Sequence, residues 1–348
     1  NKRGGIMKAV VYEGPKILTY KDIPDVTPKA NEVKIKVRAC GICGSDVHGY
    51  LGITGRRIPP VVMGHEFSGE IVELGEDVVN LKVGDRVAAY PIDFCGECEM
   101  CNKGDVHLCL NKRAFGVLDI DGAFAEYICV PAKVCFKLND NVSYVVGSIM
   151  EPLAVSYRAI SHLGDLSGKD VLIVGAGTIG LLALACVKIQ NPNRIFVSDL
   201  SNERLEIAKQ MGADIVINPA NEDFQKIIMA ETNNKGVDAV AEAVGVAATV
   251  KQGLDVMAFG GSAVWIGISS KVIDLEMQQI VTRELTVKGS FLYGFEEFKK
   301  VVKILNEGKM DITPLLSKEI TLAELPETMK HMSETSEGYI KITVVNND

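Results

Sequence analysis

Four cysteines fall within fifteen residues, at Cys95, Cys98, Cys101 and Cys109, in the run CGECEMCNKGDVHLC. No other stretch constrains the fold as tightly. Thiolates three residues apart, with a fourth eight residues on, can wrap one divalent ion as a tetrahedral four-sulfur site, the closed arrangement of structural zinc. Cysteines that serve as small hydrophobes, or as disulfides, keep different company. Here the neighbours are Gly96, Glu97, Glu99, Asn102, Lys103, Gly104 and Asp105, a loop with little apolar material to pack. Lys103, Lys112 and Arg113 are placed to offset the negative charge that four thiolates leave on one divalent cation. His107 is the alternative ligand.

A chain of 348 residues exceeds one ordinary core and implies about two domains. With 47% hydrophobic and 24% charged residues it is globular, and its formal net charge of -8 argues against binding nucleic acid or anionic lipid. Nine cysteines, an odd number with four of them clustered, and no secretory signal point to a reducing cytoplasm. Cys40, Cys129, Cys135 and Cys186 lie in apolar runs and are expected to be buried. Residues Asn1 to Ile6 precede Met7 and are set aside from the fold.

The run Val171 to Val187, VLIVGAGTIGLLALACV, carries no charge over seventeen residues, near the lower limit for a membrane span. Its glycines instead divide it into a strand over Val171 to Val174, a tight turn, and a helix from about Ile179. The turn reads Gly175, Ala176, Gly177, Thr178, Ile179, Gly180, a GxGxxG between strand and helix, and the next strand, Arg194 to Ser198, ends in Asp199. In such a turn the first glycine permits the bend, the second admits backbone N–H groups to a pyrophosphate, and the third lets helix and strand pack closely. The helix N-terminus favours the phosphates. Asp199 would bind the adenosine ribose hydroxyls and repel a 2′-phosphate, favouring NAD over NADP, with Arg204 near the adenine. Ser201 is a plausible N-cap for a helix ending at Gly212.

Apolar runs at Ile215 to Ile217, Val237 to Ala241, Ala263 to Ile266 and Leu285 to Val287 alternate with helical segments such as Asp223 to Ala230. That rhythm predicts a doubly wound parallel sheet, a nucleotide domain over about 157–289. The first 150 residues alternate at Val33, Ile35 and Val37 and are punctuated by Gly75, Gly84, Gly96 and Gly122, an all-β lobe with few helices. The expected fold is thus α/β plus all-β, with 290–348 returning to complete the 7–156 domain.

Further metal-ligand residue types are scattered through that lobe: Cys43 in CGICGSDVH, His65 and Glu66 in GHEF, and Glu151 in MEPL. Spacing alone leaves two readings of equal weight, an open catalytic zinc site or an unrelated loop cysteine, histidine and glutamates.

Together, GHEFSGEIVELG, VGDRVA, the four-cysteine loop, GAGTIGLLA and the Asp199 strand end resemble the zinc-dependent medium-chain dehydrogenase/reductase superfamily across the chain after Met7. CGSDVH with EPLAV resembles its polyol branch, the sorbitol, galactitol-phosphate and butanediol dehydrogenases. The resemblance implies a GroES-like catalytic domain, a Rossmann domain and a cleft between them holding zinc and nicotinamide. It makes Cys43, His65 and Glu151 ligands of a catalytic zinc, with Glu66 binding directly or standing behind a water, and Ser45 and His48 a hydroxyl-to-imidazole proton relay. It adds cofactor contacts at Val244, Ile266, Gly267, Ile268 and Phe291.

The implied reaction is reversible oxidation of a secondary alcohol of a polyol or polyol phosphate to a ketone by hydride transfer to NAD+, in a homodimer or homotetramer with two zinc ions per chain. Zinc can bring a bound hydroxyl from a pKa of about 16 toward about 7. Leu292 stands where sorbitol dehydrogenases commonly carry arginine, so substrate contacts do not transfer. Arg56 and Arg57, just before the GHE motif, read most simply as a solvated basic loop, and alternatively as a pair at the cleft mouth whose guanidinium groups bind a substrate phosphate or carboxylate. The alternatives are L-threonine 3-dehydrogenase, which EPLAV disfavours, 2,3-butanediol dehydrogenase, a zinc-free NADP-linked quinone reductase, a noncatalytic nucleotide-binding relative, and a membrane protein resting on 171–187 alone.

Overall fold

The computed structural model describes residues 5–335 and 339–346. The chain divides into two units, one of residues 1–151, 294–308 and 316–348, the other of 152–293 and 309–315. The expected boundaries fall a few residues away, and one short excursion is new. Residues 309–315 leave the first unit because Ile312 and Leu315 are buried and the turn Thr313–Leu315 packs against the helix Asn202–Met211. Ile6, set aside in the sequence, pairs with Pro24 as the first residue of the strand Ile6–Gly14.

In the first unit, alternation becomes a sheet. Val33, Ile35 and Val37 turn inward along the strand Glu32–Gly41, which pairs antiparallel with Glu66–Leu74, Tyr127–Pro131 and Lys341–Val345. The full path is Cys135–Lys137, Arg86–Ala89, Glu66–Leu74, Glu32–Gly41, Lys341–Val345 and Leu316–Ile320, with Tyr127–Pro131 off it. The helix Phe295–Asn306 rejoins this unit through rings: Phe295 and Phe298 meet Tyr90 edge-on at 5.5 and 5.7 Å between centroids. Aromatic pairs in that geometry stabilise by about 0.5–1.5 kcal/mol beyond their buried area. Cys40 and Cys186 are buried as expected, whereas Cys129 and Cys135 are half-buried. On Tyr127–Pro131 the inward positions go to Ile128 and Val130, which turns Cys129 outward.

The second unit is a parallel sheet in the order Ile215–Ile217, Arg194–Ser198, Asp170–Val174, Val237–Glu242, Met257–Trp265, Thr286–Gly289. The order reverses direction between Asp170–Val174 and Val237–Glu242, the switch point at which open α/β sheets place a ligand crevice. Leu172, Val174, Phe196, Ile217 and Val240 fill its core. Helix signals operate as read: Ser201 Oγ accepts from Arg204 N–H, Gly212 ends the same helix left-handed at φ +105°, and Asp223 caps Phe224–Glu231. The uncharged 171–187 run resolves into a strand and an eleven-residue helix, Thr178–Lys188, interior to the unit. Among the described residues no helix is long and apolar enough to cross a membrane.

Candidate active site

The four cysteines converge. Their sulfurs lie 3.6 Å (Cys98 to Cys101), 3.8 Å (Cys98 to Cys109), 3.6 Å (Cys95 to Cys109) and 3.9 Å (Cys95 to Cys101) apart. Zinc–sulfur bonds of about 2.3 Å require tetrahedron edges of about 3.8 Å, whereas a disulfide would bring two sulfurs to about 2.05 Å. The donor set therefore fits one zinc ion. Backbone N–H groups of Cys101 and Leu110 point at Cys98 Sγ and pull its thiol down to about 6, while burial and the neighbouring thiols push Cys101 up to about 12. Four crowded sulfurs cannot all be thiolates unless a cation joins them. Two of the three basic residues expected to offset this charge are engaged elsewhere: Lys103 pairs with Glu99 and Lys112 donates to the His107 carbonyl. Backbone amides stabilise the sulfurs instead.

A second cluster brings together Cys43 Sγ, a ring nitrogen of His65 and a carboxylate oxygen of Glu66, all within 4.8 Å of one another. Cys43 is the N-cap of the helix Gly44–Tyr50, and Asp46 on its first turn accepts the Cys43 N–H at 3.2 Å. His65 and Glu66 sit at the entry of Glu66–Leu74 beside that helix start. Glu66 is fully buried, and its Oε1 has no hydrogen-bond partner. An orphaned carboxylate oxygen beside a thiol and an imidazole fits a divalent ion. Glu151 lies outside this cluster. It opens the helix Met150–Ser161 and is near enough to raise the Lys341 ammonium.

Two supporting residues escaped sequence reasoning. Lys341, from a strand next to last in the sheet, pairs with Glu66 Oε2 and donates to the Ile42 carbonyl at 2.9 Å, both partners of the ion pair being buried. Burial lowers the ammonium, but Glu66, Cys43 and Glu151 outweigh it and raise Lys341 overall. The available signal was a lysine set in the apolar strand KITVV. Asp46 is the other: its Oδ1 lies 3.4 Å from His65 Nδ1 and 2.9 Å from the Arg57 guanidinium. Burial would raise Asp46, but the His65 ring and Arg57 prevail and hold it at about 2.

Arg57 corrects an expectation. Its side chain is 3% exposed and committed to Asp46, so it is no phosphate-binding residue at a cleft mouth. Arg56 alone of the pair is exposed. Ser45 and His48 are exposed on the same helix, and Ser45 caps nothing, since Cys43 occupies the cap.

In the second unit the glycine turn has the form read from the sequence. Gly175 adopts φ +97°, and a Cβ on Gly180 would stand 1.7 Å from the Gly175 carbonyl oxygen, so only glycine lets this helix seat on its strand. Gly177 precedes the helix Thr178–Lys188 with open space where a Cβ would be. Asp199 stands beside the turn, its carboxylate oxygens accepting Ala176 N–H at 2.7 Å and Ser201 N–H at 2.8 Å. Val244, Ile266 and Gly267 follow the neighbouring strand ends, with Ile268 and Phe291 exposed.

Two family descriptions match the chain: an alcohol dehydrogenase GroES-like domain over residues 29–140 and a zinc-binding dehydrogenase over residues 178–307. L-threonine 3-dehydrogenase of Caldanaerobacter subterraneus is 37% identical over 340 residues, 94% of this chain and 96% of its own. Sorbitol dehydrogenase of Bacillus subtilis is 33% identical, covering 98% of each chain. The crystal structure of a zinc-binding dehydrogenase of Sinorhizobium meliloti bound to NADP superposes with a TM-score of 0.91 at 32% identity, over 98% of this chain and all of that one.

Proposed function

This chain belongs to the zinc-dependent medium-chain dehydrogenase/reductase superfamily, and from that membership we propose that it oxidises a secondary alcohol next to a carbon bearing oxygen or nitrogen, passing hydride to NAD+. The observation that carries the reading is the cluster of half-buried Cys43 with His65 and the buried Glu66, whose Oε1 is orphaned. A polyol and L-threonine both present such a hydroxyl, as the sorbitol and threonine dehydrogenase relatives would require. The phosphate arm has lost its support from Arg57, and the EPLAV sequence no longer weighs against threonine beside a threonine dehydrogenase at 37% identity.

Cys43 and His65 would hold a catalytic zinc, with Glu66 or Glu151 completing the site, and Cys95, Cys98, Cys101 and Cys109 would hold a second. Zinc supplies Lewis acidity toward the reacting oxygen, and the nicotinamide supplies the hydride acceptor. The remaining work is the protein's. Asp46 fixes the tautomer and direction of His65, and Arg57 keeps Asp46 ionised. Lys341 compensates the buried Glu66 charge. Ser45 and His48 carry the released proton outward, imidazole being the side chain suited to neutral pH. The Gly175 to Gly180 turn and the helix N-terminus take the pyrophosphate, and Asp199 repels a 2′-phosphate.

Assays of NADH formation with L-threonine, sorbitol, 2,3-butanediol and a polyol phosphate, run beside metal analysis, test this reading. Two zinc ions per chain and turnover of one of these alcohols are expected. A metal-free chain that reduces quinones with NADPH would overturn it, and a preference for NADP+ would overturn the role of Asp199. A homodimer or homotetramer is the proposed assembly, measurable by sedimentation. The nine cysteines, none in a disulfide, accord with a reducing cytoplasm.

A further inference from the structure

Glu242 ends the strand Val237–Glu242 and is 1% exposed, whereas the strand's other acid, Asp238, is half-buried and pairs with Lys235. It ends that strand at the switch point of the sheet, in register with Val174 on one side and Trp265 on the other. Val174 precedes the glycine turn, and Trp265 precedes Ile266 and Gly267. A carboxylate buried there is costly unless N–H donors face it. They face one oxygen: Oε1 accepts Val244 N–H at 3.0 Å and Gly245 N–H at 2.8 Å, while Oε2 is buried without a hydrogen-bond partner. The Glu242 carbonyl accepts Ile266 N–H at 2.8 Å and Gly267 N–H at 3.2 Å.

We propose that Glu242 is the positioning residue of the dinucleotide site, joining the Val244–Gly245 turn to the Ile266–Gly267 segment so that both present their backbone to the cofactor. This rests on the reading above that those segments touch NAD. The two segments meet without side chains between them, since a Cβ on Gly245 would stand 2.3 Å from the Gly267 carbonyl carbon and one on Gly267 would stand 2.1 Å from Gly245 N. Gly245 also takes φ +83°, so the turn has little intrinsic preference for its shape and must be held. Further ties run the same way: Ser269 Oγ donates to the Val244 carbonyl at 2.6 Å, and Ser270 N–H donates to the Gly245 carbonyl at 2.8 Å. Of these contacts, the two to Oε1 are the ones a substitution at 242 removes, leaving the buried Gly245 N–H and the part-buried Val244 N–H without that acceptor.

The test compares wild type, Glu242→Gln and Glu242→Ala as zinc-loaded full chains. Three readouts are taken: NADH binding by fluorescence titration, thermal midpoint, and hydrogen exchange at the Val244 and Gly245 amides. Gln keeps an acceptor oxygen and is expected to hold NADH within about threefold of wild type. Ala is expected to weaken NADH about tenfold or more, equivalent to about 1.4 kcal/mol, and to speed exchange at both amides. It is also expected to raise KM for NAD+ more than it lowers kcat. Wild type binding no dinucleotide overturns the underlying reading. Wild type that binds while Ala binds equally well, with only its thermal midpoint lowered, overturns the inference and leaves that reading intact.

Discussion

The two metal-ligand clusters are built on opposite plans. The sulfur cluster takes four donors from fifteen consecutive residues, and backbone amides of the same loop, those of Cys101 and Leu110, face its Cys98 sulfur. The Cys43, His65 and Glu66 cluster draws on a helix cap and a strand entry, and leans on Asp46, Arg57 and Lys341. A self-contained loop has little apolar surface of its own, so an ion must supply its folding energy. A dispersed site sits on a sheet already stable for other reasons and can leave room for a substrate. Stability should therefore follow the first cluster, and turnover the second.

The largest effect that can break this contrast is Cys98→Ser. It should reduce zinc from two ions to one and withdraw most of a binding energy on the order of 10 kcal/mol from the loop. A thermal midpoint unchanged by calorimetry would show that the loop folds without its ion. Next comes Cys43→Ser, expected to lower kcat/KM about a thousandfold, roughly 4 kcal/mol, with the thermal midpoint within a few degrees of wild type. Comparable loss of stability would erase the distinction between the sites.

Arg57→Met sharpens the contrast further, because it leaves the buried Asp46 carboxylate without its guanidinium. About 3 kcal/mol of stability should be lost. Zinc affinity of the dispersed site, read by competition with a chelator, should fall about tenfold. An affinity equal to wild type would reduce Arg57 to a packing residue. The smallest effect belongs to His48→Ala, where kcat for alcohol oxidation should drop about tenfold or less near neutral pH. The gap should close as pH rises and solvent base replaces the imidazole. A pH profile parallel to wild type would remove His48 from the proton path.

The same contrast explains what the sequence could disclose. Local rules were enough for Ser201 and Gly212 at the two ends of one helix, for the glycine turn, and for four cysteines at ligand spacing, because each depends on neighbours a few residues away. Arg57 was misread as a solvent-facing anion binder for the opposite reason. Its partner Asp46 lies eleven residues back, and nothing in the loop composition says that the guanidinium turns inward. A charged residue in a largely buried strand, such as Lys341 or Glu242, is a visible anomaly. Its meaning resides in the partner, and the partner is set by sheet order. The excursion of 309–315 into the second unit is likewise decided by which core receives Ile312 and Leu315.

Lys341 lies 299 residues after the Ile42 carbonyl to which it donates. A nascent polypeptide therefore exposes Cys43, His65 and Glu66 to the cell long before their counter-charge has been translated. Until Lys341–Val345 docks between Glu32–Gly41 and Leu316–Ile320, the Glu66 carboxylate lacks its partner and must stay hydrated. Assembly of the reactive centre thus waits on a strand far along the chain, and a chain cut before Lys341 leaves the Glu66 carboxylate without its counter-charge.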